Sequence, residues 1–482
     1  MTISTSMDTV APPQDATEAV GSVAEAFFHN ATARRIDTDA VLLKTIQNNH
    51  PGVPVTTVPE LHCNLKAYAQ AGHASIEAVD PTQSEHQAWP QTLKWTVFLP
   101  PARRMDGGNG TVAEQVFFES YTYRWKDMSF LVYFADGRDG GSANPHIRNQ
   151  YILGDEAVVR TLVATVGRHD SVLHDEIWVY NKGFWQKDRN LYRSIMKSRW
   201  EDVILDKPLK EDLVGTVQHF YDSQEQYNRL RVPWKRGIIF YGPPGNGKTI
   251  SIKATMHTLY SRNPPVPTLY VKTLVSLVPP EFSIDSIFAK ARQEAPCYLV
   301  FEDLDSLVTD KVRSFFLNAV DGLSENEGIL MVGSTNHLDR LDPGIAKRPS
   351  RFDRKYLFSD PDFDQRVKYC QYWQKKLEDN KEIEFPDEIC PAAAEITDGF
   401  SFAYIQEAFV SALMAIAREK DGFQTAEEAG SMTTLHEAWD VLDIADGQPP
   451  SWSGDNKNLD DYVLWRTLKN QIELLRKEFS DE

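Results

Sequence analysis

Apolar positions along the chain fall into three regimes. Short runs rich in β-branched and aromatic residues, each bounded by Gly, Asp or Pro, predict strands at 93–99, 115–123, 128–134, 151–153 and 176–180, with a helix over 155–167. These make a small α+β domain over residues 40–182. Next come a strand-like Val203-Ile204-Leu205 and one long amphipathic helix reaching 232. Strand and helix patterns then alternate: strands at 236–241, 268–271, 298–301 and 329–333, helices at 250–259, 284–293 and 311–323. Such alternation predicts a doubly wound parallel α/β sheet whose ligand sits at the carboxyl ends of the strands. The run at 298–301 is wholly apolar, as a central strand covered on both faces would be. From about residue 365 only helical patterns remain, at 365–378, 388–397, 401–420, 435–443 and 459–477. The last carries Tyr462, Leu468, Ile472 and Leu475 at helical spacing, after a loop over 446–458. The expected organisation is therefore a polar tail and short helix (1–39, the helix over 17–34), a strand-rich domain (40–182), a connector (183–200), an α/β core (201–362) and a helical lid (363–482). Residues 52–89 carry no strong period and stay unassigned.

Composition narrows the class. The chain has 482 residues, 41% hydrophobic and 25% charged, enough for two or three soluble domains. No run approaches the ~18 apolar residues that cross a bilayer. The N-terminus lacks the charged head and apolar core of a secretory signal. Asp8, Asp15, Glu18 and Glu25 all precede Arg34, the first Lys or Arg, which is the reverse of a mitochondrial presequence. The expectation is a soluble intracellular protein, cytoplasmic before nuclear. Cys63, Cys297, Cys370 and Cys390 lie far apart without metal-ligand spacing and fit a reducing compartment. A net charge of −18 repels nucleic acid and anionic membranes. One stretch runs against it: Lys187, Arg189, Arg193, Lys197 and Arg199, interleaved with Phe184, Trp185, Tyr192 and Trp200. Such a segment can hold a single strand of nucleic acid. The overall acidity favours a connector packed on the α/β core.

The chemistry gathers at the strand ends. Gly242-Pro243-Pro244-Gly245-Asn246-Gly247-Lys248-Thr249 stands between a predicted strand and a predicted helix and fits the phosphate-binding pattern. That arrangement aims backbone N–H groups and a positive helix end at an anion. Lys248 reaches the terminal phosphates and Thr249 offers a hydroxyl to Mg²⁺. The strand at 298–301 runs into Glu302-Asp303-Leu304-Asp305. Carboxylates there face the phosphates, one to hold Mg²⁺ and one to orient or activate the attacking water. The strand at 329–333 leads to Ser334-Thr335-Asn336, where an amide could hold that water; alone, the triplet is common loop chemistry. Arg348 and Arg351 either pair with the local Asp339, Asp342 and Asp353 or reach a neighbour's γ-phosphate, an interaction worth about 10³–10⁵ in rate.

In this order, over residues 200–420 or so, the motifs resemble the AAA family of P-loop ATPases. The loop at 242–249 resembles Walker A, Phe301 to Asp305 Walker B, and Asn336 sensor 1. Leu317-Asn318-Ala319-Val320-Asp321-Gly322 resembles the segment before sensor 1. Arg348 and Arg351 fall on the arginine-finger positions, with one extra residue upstream. Gly399-Phe400-Ser401-Phe402-Ala403 resembles the lid's Gly-Phe-Ser-Gly-Ala motif, with Phe402 for glycine. The resemblance implies a P-loop NTPase core with a helical lid, ATP and Mg²⁺ as ligands, and a ring of about six or seven copies in which each site is completed by its neighbour. It adds Ile250, Val203 and Ala403 to the nucleotide contacts and resolves the two arginines toward the finger role.

Two departures matter. The family's Walker B ends Asp-Glu; here Glu302 precedes Asp303. That order, the strand-rich domain and the connector resemble one subgroup, the mitochondrial AAA chaperone that inserts the Rieske iron–sulfur protein into complex III. The subgroup's membrane helix and import signal have no counterpart in this sequence, so membrane location and Rieske handling do not carry over. By position, Glu302 goes to Mg²⁺ and Asp303 becomes the water-orienting base. Lys272 to Ser283 also lacks the aromatic-apolar-Gly pore motif, which argues against threading; Phe282 is a pore or a core residue. The expected function is a chaperone-like ATPase acting on a protein client. The rivals are an ATP-switched scaffold with negligible turnover and a nucleic-acid remodeller.

Overall fold

Alternation along the strands decides which residues meet. The computed structural model describes residues 38–79, 92–101, 109–136, 148–274, 279–321, 326–420 and 458–480. The expected tail, the helices at 17–34 and 435–443 and nearly all of the 446–458 loop lie outside the described residues. The chain divides into two units between Val172 and Leu173.

The first unit holds an antiparallel sheet of β1 (Val55–Pro59), β2 (Ser75–Ala78), β3 (Leu93–Leu99), β4 (Thr111–Trp125), β5 (Met128–Asp136) and β6 (Arg148–Leu153). The order is β1-β6-β5-β4-β2, with β3 also paired to β4. Phe130, Val132, Phe134 and Ile152 point to one face. There they pack on Val159, Leu162 and Val166, the apolar stripe of helix Glu156–Ser171. Asp155 caps that helix by accepting from the N–H groups of Ala157 and Val158. Tyr151, Leu153 and Ala135 cover the other face with Ile46 of helix Thr38–Asn49. β1 and β2 lie in the stretch that carried no strong period.

The second unit holds β7 (Ile177–Asn181), β8 (Phe184–Asp188), β9 (Lys235–Tyr241), β10 (Thr268–Val271), β11 (Cys297–Phe301), β12 (Ile329–Thr335) and β13 (Arg354–Leu357). Their order is β13-β9-β12-β11-β10-β7-β8, parallel except for β8. β11 is the middle strand, as its apolar run requires. Cys297, Leu299 and Phe301 feed one core and Tyr298 and Val300 the other. The sequence-based boundaries need four corrections. The strand read at 176–180 belongs to this sheet, pairing with β10, and not to the strand-rich domain. The expected connector folds back as β8 through a two-residue loop whose Lys182 and Gly183 both have positive φ, 52° and 94°, the geometry of a tight hairpin. The single long helix is two, Lys207–Asp222 and Gln224–Leu230, broken at Ser223, and Val203 to Leu205 is not a strand.

Four helices, Phe363–Lys376, Ile389–Ile396, Phe402–Lys420 and Val463–Ser480, gather Trp373, Phe409, Leu468 and Ile472 into a separate core and form the expected lid. Asp362 and Gln365 start it with a reciprocal capping box. Among the described residues no helix is long and apolar enough to cross a membrane.

Candidate active site

β9 delivers the phosphate loop. Gly242 turns at φ 138°, where an added Cβ would lie 2.2 Å from the Phe358 carbonyl oxygen. Gly245 turns at φ 82°, where a Cβ would lie 2.6 Å from Ala403. Gly247 sits at the N-terminus of helix Lys248–Tyr260. Lys248, only 8% exposed, donates from Nζ to the carbonyl oxygens of Gly242 and Pro243, both at 2.7 Å. Burial pushes its ammonium below the ordinary lysine range, and the carboxylates of Asp303 and Asp305 oppose that shift. Both acceptors are neutral, so the charge of Lys248 remains available to a phosphate. Thr249 is exposed beside it, and Ile250, Pro243 and Pro244 are exposed as well.

The acids come from two strands away. β12 lies between β9 and β11, so the phosphate loop and Glu302-Asp303 flank the end of β12. The Tyr270 hydroxyl on β10 donates to Glu302 Oε2. Glu302 Oε1 is buried without a hydrogen-bond partner. A buried carboxylate oxygen left bare, with the Thr249 hydroxyl on the neighbouring loop, is the oxygen chemistry a hard cation takes, so these residues fit Mg²⁺. Asp303 is exposed, with φ 50°, in the left-handed region that Asp tolerates better than most residues. Its N–H donates to Ser334 Oγ at 3.3 Å. Asp305 accepts from Thr335 Oγ1 at 2.7 Å, and Asn336 follows, half-buried. A cavity of about 610 Å³ opens against Glu302 and Asp303, lined also by Tyr270, Lys272 and Lys311. No residue from 242 to 249 lines it, so it is not the phosphate cradle.

The two arginines part company. Arg351, 6% exposed, donates from Nε and Nη2 to the two carboxylate oxygens of Asp321, and from Nη1 to the Gly344 carbonyl at 2.6 Å. Its hydrogen bonds are the main reason the Asp321 carboxyl is held below the usual range. Arg348 is 57% exposed and touches Asp321 only at 3.5 Å. Two of the three aspartates that the sequence offered as local partners are occupied elsewhere: Asp342 pairs with Arg313 at 3.2 Å and Asp353 with Arg236 at 2.9 Å.

Val203 is buried and its carbonyl accepts from Lys210 at 3.0 Å. Ala403 N–H donates to the Gly245 carbonyl at 3.2 Å, tying the lid to the phosphate loop. Asn246, 1% exposed, adds a bridge: its amide donates to Asp360 at 2.8 Å and its oxygen accepts from Phe402 N–H at 3.4 Å. Asn246, Tyr270 and Asp321 were given no such roles by the sequence; the partners of Tyr270 and Asp321 lie about thirty residues away, and nothing local marks them. In the basic segment, Lys187 and Arg189 both pair with Glu176, at 3.6 and 3.1 Å. Phe282 is 64% exposed, so it is not a core residue.

Residues 238–360 match the profile of the ATPase family associated with various cellular activities (AAA). A curated relative, the ATPase family gene 2 protein of Saccharomyces cerevisiae, is 29% identical over 245 residues, covering 47% of this chain and 30% of the relative. The chain thus spans less than a third of that relative's length.

Proposed function

We propose that this chain, which carries an AAA ATPase domain over residues 238–360, binds ATP with Mg²⁺ and hydrolyses it as one copy in a ring that acts on a protein client. The observation that carries the reading is the placing of the Lys248 loop and of Glu302-Asp303 at the ends of β9 and β11, on either side of β12 in one sheet. The loop N–H groups and Lys248 hold the phosphates. Thr249 and Glu302 would hold Mg²⁺, which would spread the charge of the phosphate oxygens. Asp303, anchored through its N–H to Ser334, orients the attacking water, with Asn336 beside it. Arg348, exposed and weakly paired, is free to reach the γ-phosphate of the adjoining copy. Arg351 holds the turn that presents it. Phosphate release from ATP–Mg²⁺ tests the reading: Lys248→Ala abolishes it, and a variant as active as wild type overturns the assignment.

The swapped acid order favours a second reading, an ATP-switched scaffold. It places the shorter carboxylate at the water-orienting position, where a step that depends on reach loses rate. Tight ATP binding with no phosphate release would support it. Nucleic-acid remodelling is disfavoured, since Lys187 and Arg189 are already paired with Glu176.

A further inference from the structure

We infer that Tyr270 is a positioning residue that fixes Glu302 for Mg²⁺, and that this tether is what lets a glutamate serve where the family pattern has an aspartate. The inference rests on the ATP–Mg²⁺ reading above and deepens it. β10 and β11 run parallel with Tyr270 opposite Val300. Both contribute to the same core face. Glu302 stands two residues beyond Val300, so its side chain emerges on that same face. The Tyr270 ring lies along this face and its hydroxyl meets Glu302 Oε2.

The extra methylene of glutamate adds about 1.5 Å of reach and one more torsion to be held. A tyrosine hydroxyl on the neighbouring strand removes that freedom. It occupies Oε2 and leaves Oε1, buried and without a hydrogen-bond partner, as the oxygen that would face Mg²⁺. A tyrosine hydroxyl keeps its proton at physiological pH, so it serves as the donor and the carboxylate as the acceptor. Partners that orient a metal-holding group typically change metal affinity by about 10–100-fold.

The test compares wild type, Tyr270→Phe, Glu302→Asp and the double variant by calorimetric ATP titration, with Mg²⁺ and with EDTA, alongside the Mg²⁺ dependence of phosphate release. Tyr270→Phe is expected to leave ATP affinity in EDTA within about twofold. It should weaken the Mg²⁺-dependent gain in affinity by about tenfold and raise the half-saturating Mg²⁺ concentration correspondingly. In the Glu302→Asp background, where no tether is needed, removing the hydroxyl should add nothing. Equal loss of affinity with and without Mg²⁺ would mean that the hydroxyl only supports the fold, and would overturn the inference. So would an unchanged Mg²⁺ dependence, or an additive double variant. Wild type that binds ATP in a Mg²⁺-dependent way but releases no phosphate would sink the hydrolysis reading alone, and the binding arm would still decide the role of Tyr270.

Discussion

Arg351 grips Asp321 through both carboxylate oxygens, at 2.8 and 2.5 Å, from a site where the guanidinium is almost wholly buried. Arg348, three residues earlier, has no comparable partner. Two arginines that look equivalent in sequence therefore differ in what their loss should do. Arg351→Ala leaves the Gly344 carbonyl and Asp321 short of their donor, and should destabilise the protein by about 1–3 kcal/mol. Arg348→Ala should leave the melting temperature nearly unchanged, a stability effect within about 0.5 kcal/mol. It should cut turnover by about 10³. Thermal unfolding and phosphate release on the two variants check the separation.

The same pair predicts an acid response. Arg351 holds the Asp321 carboxyl below its ordinary value of 3.8, so the charged form is favoured in the folded protein. The stabilisation is fully present above that ordinary value and is lost as pH falls through the lowered one. Asp321→Asn should therefore be less stable than wild type at pH 7, with the gap narrowing as pH falls below 3.8. Urea midpoints at pH 7, 5 and 3 give the measurement. A gap of the same size at pH 3 would contradict the pairing.

Asn246 links the 242–249 loop to the lid. Its side chain bonds Asp360 on one side and the Phe402 N–H on the other. Asn246→Ala should remove both bonds, together about 1–3 kcal/mol. Amide exchange at Phe402 and Ala403 should accelerate, and ATP should no longer slow it. Exchange at Phe402 identical to wild type, with and without ATP, would show that the bridge does not hold the lid.

What the sequence made legible follows from burial. β11 and β12 are covered on both faces, so their positions read as continuous apolar runs and were located to within a residue or two. β13 was missed because only Tyr356 of its four residues is buried; it borders β9 at the sheet edge and leaves no pattern. β7 was visible as a strand, yet its partner was not, because pairing with β10 spans about ninety residues and no local signal marks it. Ser223 breaks what periodicity reads as one helix, since the apolar stripe continues on both sides. At the site, the 242–249 loop and the acids at 302–305 stand out in the sequence as motifs, and the structure brings them to strand ends on either side of β12. The Tyr270 tether and the Asp321 grip do not stand out, because each depends on which strand or helix end lies alongside.

The most direct test of the account is steady-state phosphate release from ATP–Mg²⁺, measured over a wide range of protein concentration for wild type and Asp303→Asn. Specific activity should rise with concentration, as sites completed by a neighbouring copy require, and fall by two or more orders of magnitude in the variant, roughly the loss of a positioned water-orienting base. Wild-type activity that is flat with concentration and no greater than that of Asp303→Asn would contradict it.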